Sequence, residues 1–218
     1  MMKKAITFLL ALALAGAAAS VQAQDAAAGA NKAAQCAGCH GIPGYQSSFP
    51  EVYRVPKVAG QTAGYIVAAL NAYKRGERKH PSMRGIAIPM SDQDMADLGA
   101  YYEQQGASLV KLVSDSAPPA PPAAVAELLT RGACASCHGA SYNKPLVPAY
   151  PKLAGQHADY LFSALRAYGV EGNPHIGRAN AVMSAQVKAF KRAELKAMAD
   201  YLSTLPGDLR VVRNPKFR

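Results

Sequence analysis

The sequence predicts an all-α fold in which one domain plan is written twice. Three observations predict it. The block Val55-Pro56-Lys57-Val58-Ala59-Gly60-Gln61 recurs as Tyr150-Pro151-Lys152-Leu153-Ala154-Gly155-Gln156. Each block leads into segments whose apolar residues repeat at helical spacing. Between the copies runs Ala117-Pro118-Pro119-Ala120-Pro121-Pro122, where proline cannot continue a helix and favours an extended, semi-rigid segment.

At the amino terminus, Lys3 and Lys4 precede an apolar run from Ile6 to Ala19, and Val21-Gln22-Ala23 follows as an A-x-A-like site. This is the pattern of a cleaved secretory signal over 1–23. The uncharged run is short and alanine-rich, below the roughly 20 apolar residues that span a bilayer. Export implies a compartment outside the cytoplasm, best met by a bacterial periplasm. Cleavage after Ala23 leaves 195 of the 218 residues, enough for two domains of a size at which burial alone gives marginal stability. We place them at 24–115 and 124–205, with a proline-rich linker at 116–123 and a basic tail at 206–218.

Each domain is expected to run from a short helix through a loop, a middle helix and a second loop to a closing helix. The middle helices carry matching stripes, Ile66, Leu70 and Tyr73 against Leu161, Leu165 and Tyr168. The closing helices match as Met95, Leu98 and Tyr102 against Leu195, Met198 and Leu202. Ser91-Asp92-Gln93-Asp94 reads as an N-cap with an acidic first turn. In the second copy Lys191 and Arg192 replace the capping pair, a weaker start.

All four cysteines fall in Cys36-Ala37-Gly38-Cys39-His40 and Cys134-Ala135-Ser136-Cys137-His138. C-x-x-C-H is the attachment pattern of a c-type haem: the thiols add to the porphyrin vinyl groups and the histidine becomes the proximal iron ligand. A zinc ribbon would place its two pairs about 15–20 residues apart, whereas these begin 98 residues apart. A thioredoxin-like pair needs a βαβ context, and no convincing strands flank either motif. Paired disulfides explain neither the spacing nor the repeated histidine. The reading is therefore two covalent haem c groups.

The other side of each iron decides the chemistry, because an open position binds small molecules while a thioether closes it and raises the potential. Met83 lies eight residues before Ser91, and Met183 eight before Lys191; from His40 and His138 they are 43 and 45 residues on. This duplicated placement, in loops, makes Met83 and Met183 the expected axial ligands. Met90 is matched by Phe190 and reads as core or a hydrophobic staple; Met95 and Met198 fall on packing stripes. His80 and His175 occupy unmatched places and read as solvated loop residues, as does His157 as a surface residue.

The chain has 24 Lys and Arg against 14 Asp and Glu, a formal net charge of +10. The excess is uneven, +1 over 24–115 and +7 over 116–218. Such a half suits docking to an acidic protein or peripheral association with a membrane surface. No aromatic-basic pattern points to nucleic acid. The tail, with Arg210, Arg213, Lys216 and Arg218, reads either as frayed or as a basic docking strap.

These motifs together resemble the diheme cytochrome c4 family: signal peptide, C-x-x-C-H, P-K-[LV]-A-G-Q, an axial methionine and a closing helix, repeated over nearly the whole mature chain. The resemblance implies two tandem class I cytochrome c-like domains with neighbouring haems. Cys36, Cys39, His40 and Met83 would hold the first haem, and Cys134, Cys137, His138 and Met183 the second. Pro56 and Pro151 would offer their carbonyls to the proximal histidines. The implied function is a periplasmic electron carrier, not an enzyme, working by outer-sphere transfer between respiratory donors and acceptors such as a terminal oxidase. The alternatives are the cytochrome subunit of a periplasmic dehydrogenase complex and a diheme enzyme, a peroxidase or a thiosulfate-oxidising cytochrome.

Overall fold

The computed structural model describes residues 23–107 and 119–213. The expected signal peptide up to residue 22, residues 116–118 of the expected linker and residues 214–218 of the expected tail lie outside these.

The first half begins with α1 (Ala26–Lys32), where the Asp25 carboxylate accepts from the N–H groups of Ala27 and Ala28 and so satisfies two free helix donors. α2 (Ala34–His40) follows at once and carries the first C-x-x-C-H. A short antiparallel ladder, β1 (Gln46–Ser47) with β2 (Tyr53–Arg54), interrupts the next loop. α3 (Ala63–Lys74) is capped by the Thr62 hydroxyl, and β3 (Arg78–Lys79), α4 (Pro81–Ala87) and α5 (Asp92–Ala107) complete the half. Ser91 and Asp94 cap α5 reciprocally: Asp94 N–H donates to Ser91 Oγ at 3.1 Å, and Ser91 N–H to Asp94 Oδ2 at 2.9 Å.

The second half repeats the helix order, without a counterpart of the β1–β2 ladder among its described residues, as α6 (Ala123–Arg131), α7 (Cys134–His138), α8 (Ala158–Ala167), β4 (Gly177–Arg178), α9 (Ala181–Lys188) and α10 (Arg192–Thr204). α10 lacks a Ser, Thr or Asp cap, but Glu194 folds back to accept from Lys191 N–H at 2.6 Å. The start is therefore better satisfied than Lys191 and Arg192 alone suggest.

Each half closes over its own core. In the first, Ile66 and Leu70 of α3 pack with Met95, Leu98 and Tyr102 of α5, and Met90 is buried among them. In the second, Val125 and Leu129 of α6 and Leu161 of α8 pack against Leu195, Met198 and Leu202 of α10. The helical stripes dictate this, since spacings of three and four place those side chains on one face. The fold is all-α, with two tandem cytochrome c-like domains; its strands, two residues each, are too short to leave an alternating pattern in the sequence.

Several contacts join the halves. β3 pairs with β4 across the seam, Arg78 opposite Arg178 and Lys79 opposite Gly177. Arg54 Nε donates to Asp159 Oδ2 at 2.9 Å, and Glu51 accepts from Ser163 Oγ at 2.6 Å and Arg166 Nη1 at 2.9 Å.

Two expectations need correction. Over its described part, the segment expected as a frayed tail or a docking strap is not frayed but packed. Leu205 and Leu209 are buried, Lys152 pairs with Asp208 at 2.7 Å, and Arg210 N–H donates to Ala59 O of the first half at 2.9 Å. Val212 packs on the first core. Apolar residues between the charges drive this return, and the Arg210 guanidinium turns back to the carbonyls of Gly207 and Leu209. The two loop methionines are, in turn, helical. His80 and Asn180 cap α4 and α9, accepting from Met83 N–H at 3.3 Å and Met183 N–H at 2.9 Å, with Pro81 pre-set for the first turn.

Candidate cofactor sites

One cavity of about 780 Å³ runs between the halves, and its walls include Cys39, His40 and Met83 from the first and Cys137, His138 and Met183 from the second. The cysteines and histidines reach it because α2 and α7 end there; one helical turn separates the two thiols, and the histidine follows directly. Cys36 and Cys134 pack against their respective cores, and burial pushes both thiols above their ordinary pKa. None of the four forms a disulfide.

His40 Nδ1 lies 2.8 Å from Pro56 O, and His138 Nδ1 lies 2.9 Å from Pro151 O. A carbonyl only accepts, so each Nδ1 carries the proton and donates it, leaving the lone pair on Nε2. Burial pushes both imidazoles below their ordinary pKa. Both histidines are thus held neutral, in one tautomer, in the form that can ligate a metal. Met83 and Met183 are half-buried, Met83 against the first core.

The remaining histidines lie elsewhere. His80 is committed to the α4 cap, and His175 is exposed, with its ring centroid 5.5 Å from that of Phe49. His157, expected on the surface, is half-buried at the seam; burial and the charges of Lys57 and Arg54 push it down to about 4. Among the described residues, no three His, Cys, Asp or Glu side chains cluster as a metal site.

Two arginines were missed by the sequence reading. The Arg78 guanidinium donates to Tyr65 OH at 2.6 Å and lies over the rings of Tyr65 and Tyr73. Arg178 repeats this with Tyr160 OH at 3.1 Å and the rings of Tyr160 and Tyr168. Both line the cavity, and among the described residues neither forms an ion pair. Burial opposes ionisation of the Tyr160 phenol, but Arg178 and Arg78 outweigh it and draw the group down to about 8. The signal was present: Arg78 and Arg178 stand 100 residues apart, as Met83 and Met183 do.

These features fit a haem. The cavity has apolar walls, a neutral imidazole in each half, and one buried and one half-buried cation, Arg78 and Arg178, that call for carboxylates of the kind a porphyrin carries. A helical domain that folds this way twice, around a cavity joining both copies, is a c-type cytochrome duplicated in tandem.

Comparison with known proteins agrees. The family described as Cytochrome c matches residues 26–105 and again 123–206. Cytochrome c4 of Azotobacter vinelandii is 33% identical over 94% of this chain and 100% of its own. The thiosulfate dehydrogenase electron acceptor of Stutzerimonas stutzeri is 32% identical over 81% of this chain and 82% of its own. The crystal structure of reduced recombinant cytochrome c4 from Pseudomonas stutzeri superposes with a TM-score of 0.62 at 29% identity, covering 84% of this chain and 100% of that one. The chain belongs to the diheme cytochrome c4 family. It is an electron-transfer protein rather than an enzyme, and carries two covalently bound haem c groups.

Proposed function

We propose that the chain is a periplasmic carrier that takes electrons from respiratory donors and passes them to acceptors such as a terminal oxidase. Cys36 and Cys39 would tether the first haem, with His40 and Met83 on its two faces; Cys134, Cys137, His138 and Met183 would do the same for the second. Arg78 and Arg178 would meet the haem carboxylates. When bound, the haem supplies a one-electron iron couple whose potential responds to its ligands, burial and neighbouring charge.

The protein's own groups do the rest. Pro56 and Pro151 hold the imidazoles in one tautomer. The helix caps at His80 and Asn180 fix the methionine-bearing turns, and a thioether on the iron would exclude substrates. The basic second half, +7 over 116–218, suits transient docking to acidic partners.

The observation that carries this reading is the paired one: a neutral, carbonyl-anchored histidine and a methionine in each half of one cavity. The test is the red charge-transfer band of methionine-ligated ferric haem. Met83→Ala and Met183→Ala should each remove one haem's share of that band, and unchanged strength in either variant rejects that ligand.

The similarity to a thiosulfate dehydrogenase electron acceptor supports a second reading, service to one dehydrogenase as its cytochrome subunit. A native complex that survives high salt would favour the subunit; release as a monomer would favour the shuttle.

A further inference from the structure

The two copies of the P-K-x-A-G-Q block do more than repeat: each reaches into the other. Gln156 of the second half accepts, through Oε1, from Lys57 N–H of the first at 3.0 Å, and its Nε2 donates to Lys57 O at 2.9 Å. Gln61 of the first half grips Lys152 of the second in the same way, accepting from its N–H at 2.9 Å and donating to its carbonyl at 3.1 Å. Each oxygen also accepts from the residue that follows its own glutamine, His157 N–H at 3.0 Å and Thr62 N–H at 3.1 Å. Two donors on one atom fix the orientation of the carboxamide. Both glutamines are buried, at 3% and 4% exposure, and the oxygen and nitrogen of each carboxamide are both bonded, as is usual for buried amides.

Lys57 N–H and Pro56 C=O belong to one peptide group, and Pro56 C=O is the acceptor for His40 Nδ1–H. Likewise Lys152 N–H shares its peptide group with Pro151 C=O, the acceptor for His138. A continuous chain therefore runs from His40 through the Pro56–Lys57 peptide to Gln156, and its mirror runs from His138 through the Pro151–Lys152 peptide to Gln61. Bonds in such chains polarise one another: an acceptor on the peptide N–H makes the carbonyl oxygen of the same group more negative. A stronger carbonyl acceptor draws the Nδ1 proton further and makes the imidazole a better electron donor. A general interface contact could have landed on any exposed backbone; both of these land on the one peptide that holds the proximal histidine.

We propose that Gln61 and Gln156 are crossed positioning residues, each tuning the histidine, and hence the haem potential, of the opposite domain. Docking of the halves and the redox poise of each site are then linked through the same two side chains. The proposal rests on the assignment of His40 and His138 as iron ligands.

The test uses the full holoprotein. A donating imidazole favours ferric iron, so loss of the glutamine acceptor should raise the potential. Gln156→Leu should shift the first-domain couple toward the reduced state, on the order of threefold in its equilibrium constant, and leave the second-domain couple in place. Gln61→Leu should do the reverse. The couples are assigned from the ligand-methionine resonances that disappear in Met83→His and Met183→His. The Nδ1–H resonance of His40 should move upfield in Gln156→Leu, and that of His138 in Gln61→Leu.

Ser163→Ala, which removes the bond to Glu51 at the same seam without touching either peptide, is the interface control and should move neither couple selectively. Should the leucine variants fail to fold, Gln→Asn at the same positions, too short for the same reach, carries the same readout. Shifts confined to the variant's own domain, equal shifts in both, or shifts matched by Ser163→Ala would overturn the proposal. Unmoved potentials with the methionine band intact would overturn it while leaving the ligands standing. A haem spectrum left unchanged by His40→Ala and His138→Ala would overturn the histidine assignment, and the proposal with it.

Discussion

The two halves share a helix order and differ in what holds their terminal helices together. In the first, α1 and α5 meet around a polar knot. Asp97, 2% exposed, accepts from Lys32 Nζ at 2.6 Å, Gln93 Nε2 at 2.7 Å and Asp25 N–H at 3.0 Å. Gly29 makes the crossing close enough, since a Cβ there would fall 2.1 Å from Asp97 O. At the matching positions the second half has Ala197 for Asp97, Thr130 for Lys32, Ala193 for Gln93 and Glu127 for Gly29. There α6 and α10 meet through Val125, Leu129, Leu195 and Met198 instead. One topology thus accepts either solution: a buried charge with every bond satisfied, which is specific but intolerant of change, or apolar packing, which is more forgiving.

The sharpest way to break the comparison lies in the repeated block. Gly60 and Gly155 are counterparts, both with positive φ, +88° and +72°. A Cβ at Gly60 would sit 2.3 Å from Asp208 O, whereas at Gly155 the nearest atom is Leu205 O at 3.1 Å. Alanine costs about 1–2 kcal/mol at either site for the left-handed backbone, and at Gly60 roughly 1–3 kcal/mol more for displacing the returning segment. Gly60→Ala should therefore lower the denaturation midpoint clearly more than Gly155→Ala; equal losses would show that the returning segment yields freely.

A smaller effect is expected from the knot. Asp97→Asn leaves Lys32 without its buried partner and should cost about 2 kcal/mol, read by chemical denaturation. Lys32 holds the Asp97 carboxyl below the ordinary carboxylate range. A depressed carboxylate stabilises the fold fully above its unfolded pKa, near 4, and that stability is lost as the pH falls through the folded value. The α1–α5 contact should therefore weaken below about pH 4, and Asp97→Asn should reduce that acid sensitivity.

The smallest effect belongs to the seam. His157 is drawn down to about 4 by burial and by Lys57 and Arg54, so its neutral form is the one folded. Its contribution is complete above about 6.5 and falls away as the pH drops toward 4. His157→Gln should flatten the stability profile over that window, and an unchanged profile would reject the role.

Much of this was legible in the chain because it is periodic or repeated. The stripes on α3, α5, α8 and α10 gave their own packing faces, and the two C-x-x-C-H motifs announced their cofactor. What escaped is non-local. The Ala59–Arg210 pairing joins residues with no shared motif, and the β3–β4 ladder is too short to alternate. The α4 and α9 helices hid because His80 was read as a solvated loop residue rather than as a cap, and Asn180 was not singled out at all. Arg78 and Arg178, and the two glutamines, carried the same duplicated offsets as residues already singled out; their partners lie in tyrosine rings and in the other domain's backbone, which no spacing reveals.

The return of residues 205–212 to the first half has a consequence for assembly. A chain that emerges from its amino terminus presents the first domain early, yet the residue that pairs with Ala59 arrives near the very end. Until that residue is made, Ala59 lacks its backbone partner. Severing the two at the proline-rich segment would accordingly not yield two self-sufficient cytochromes: the amino-terminal fragment would lack a piece of its own wall.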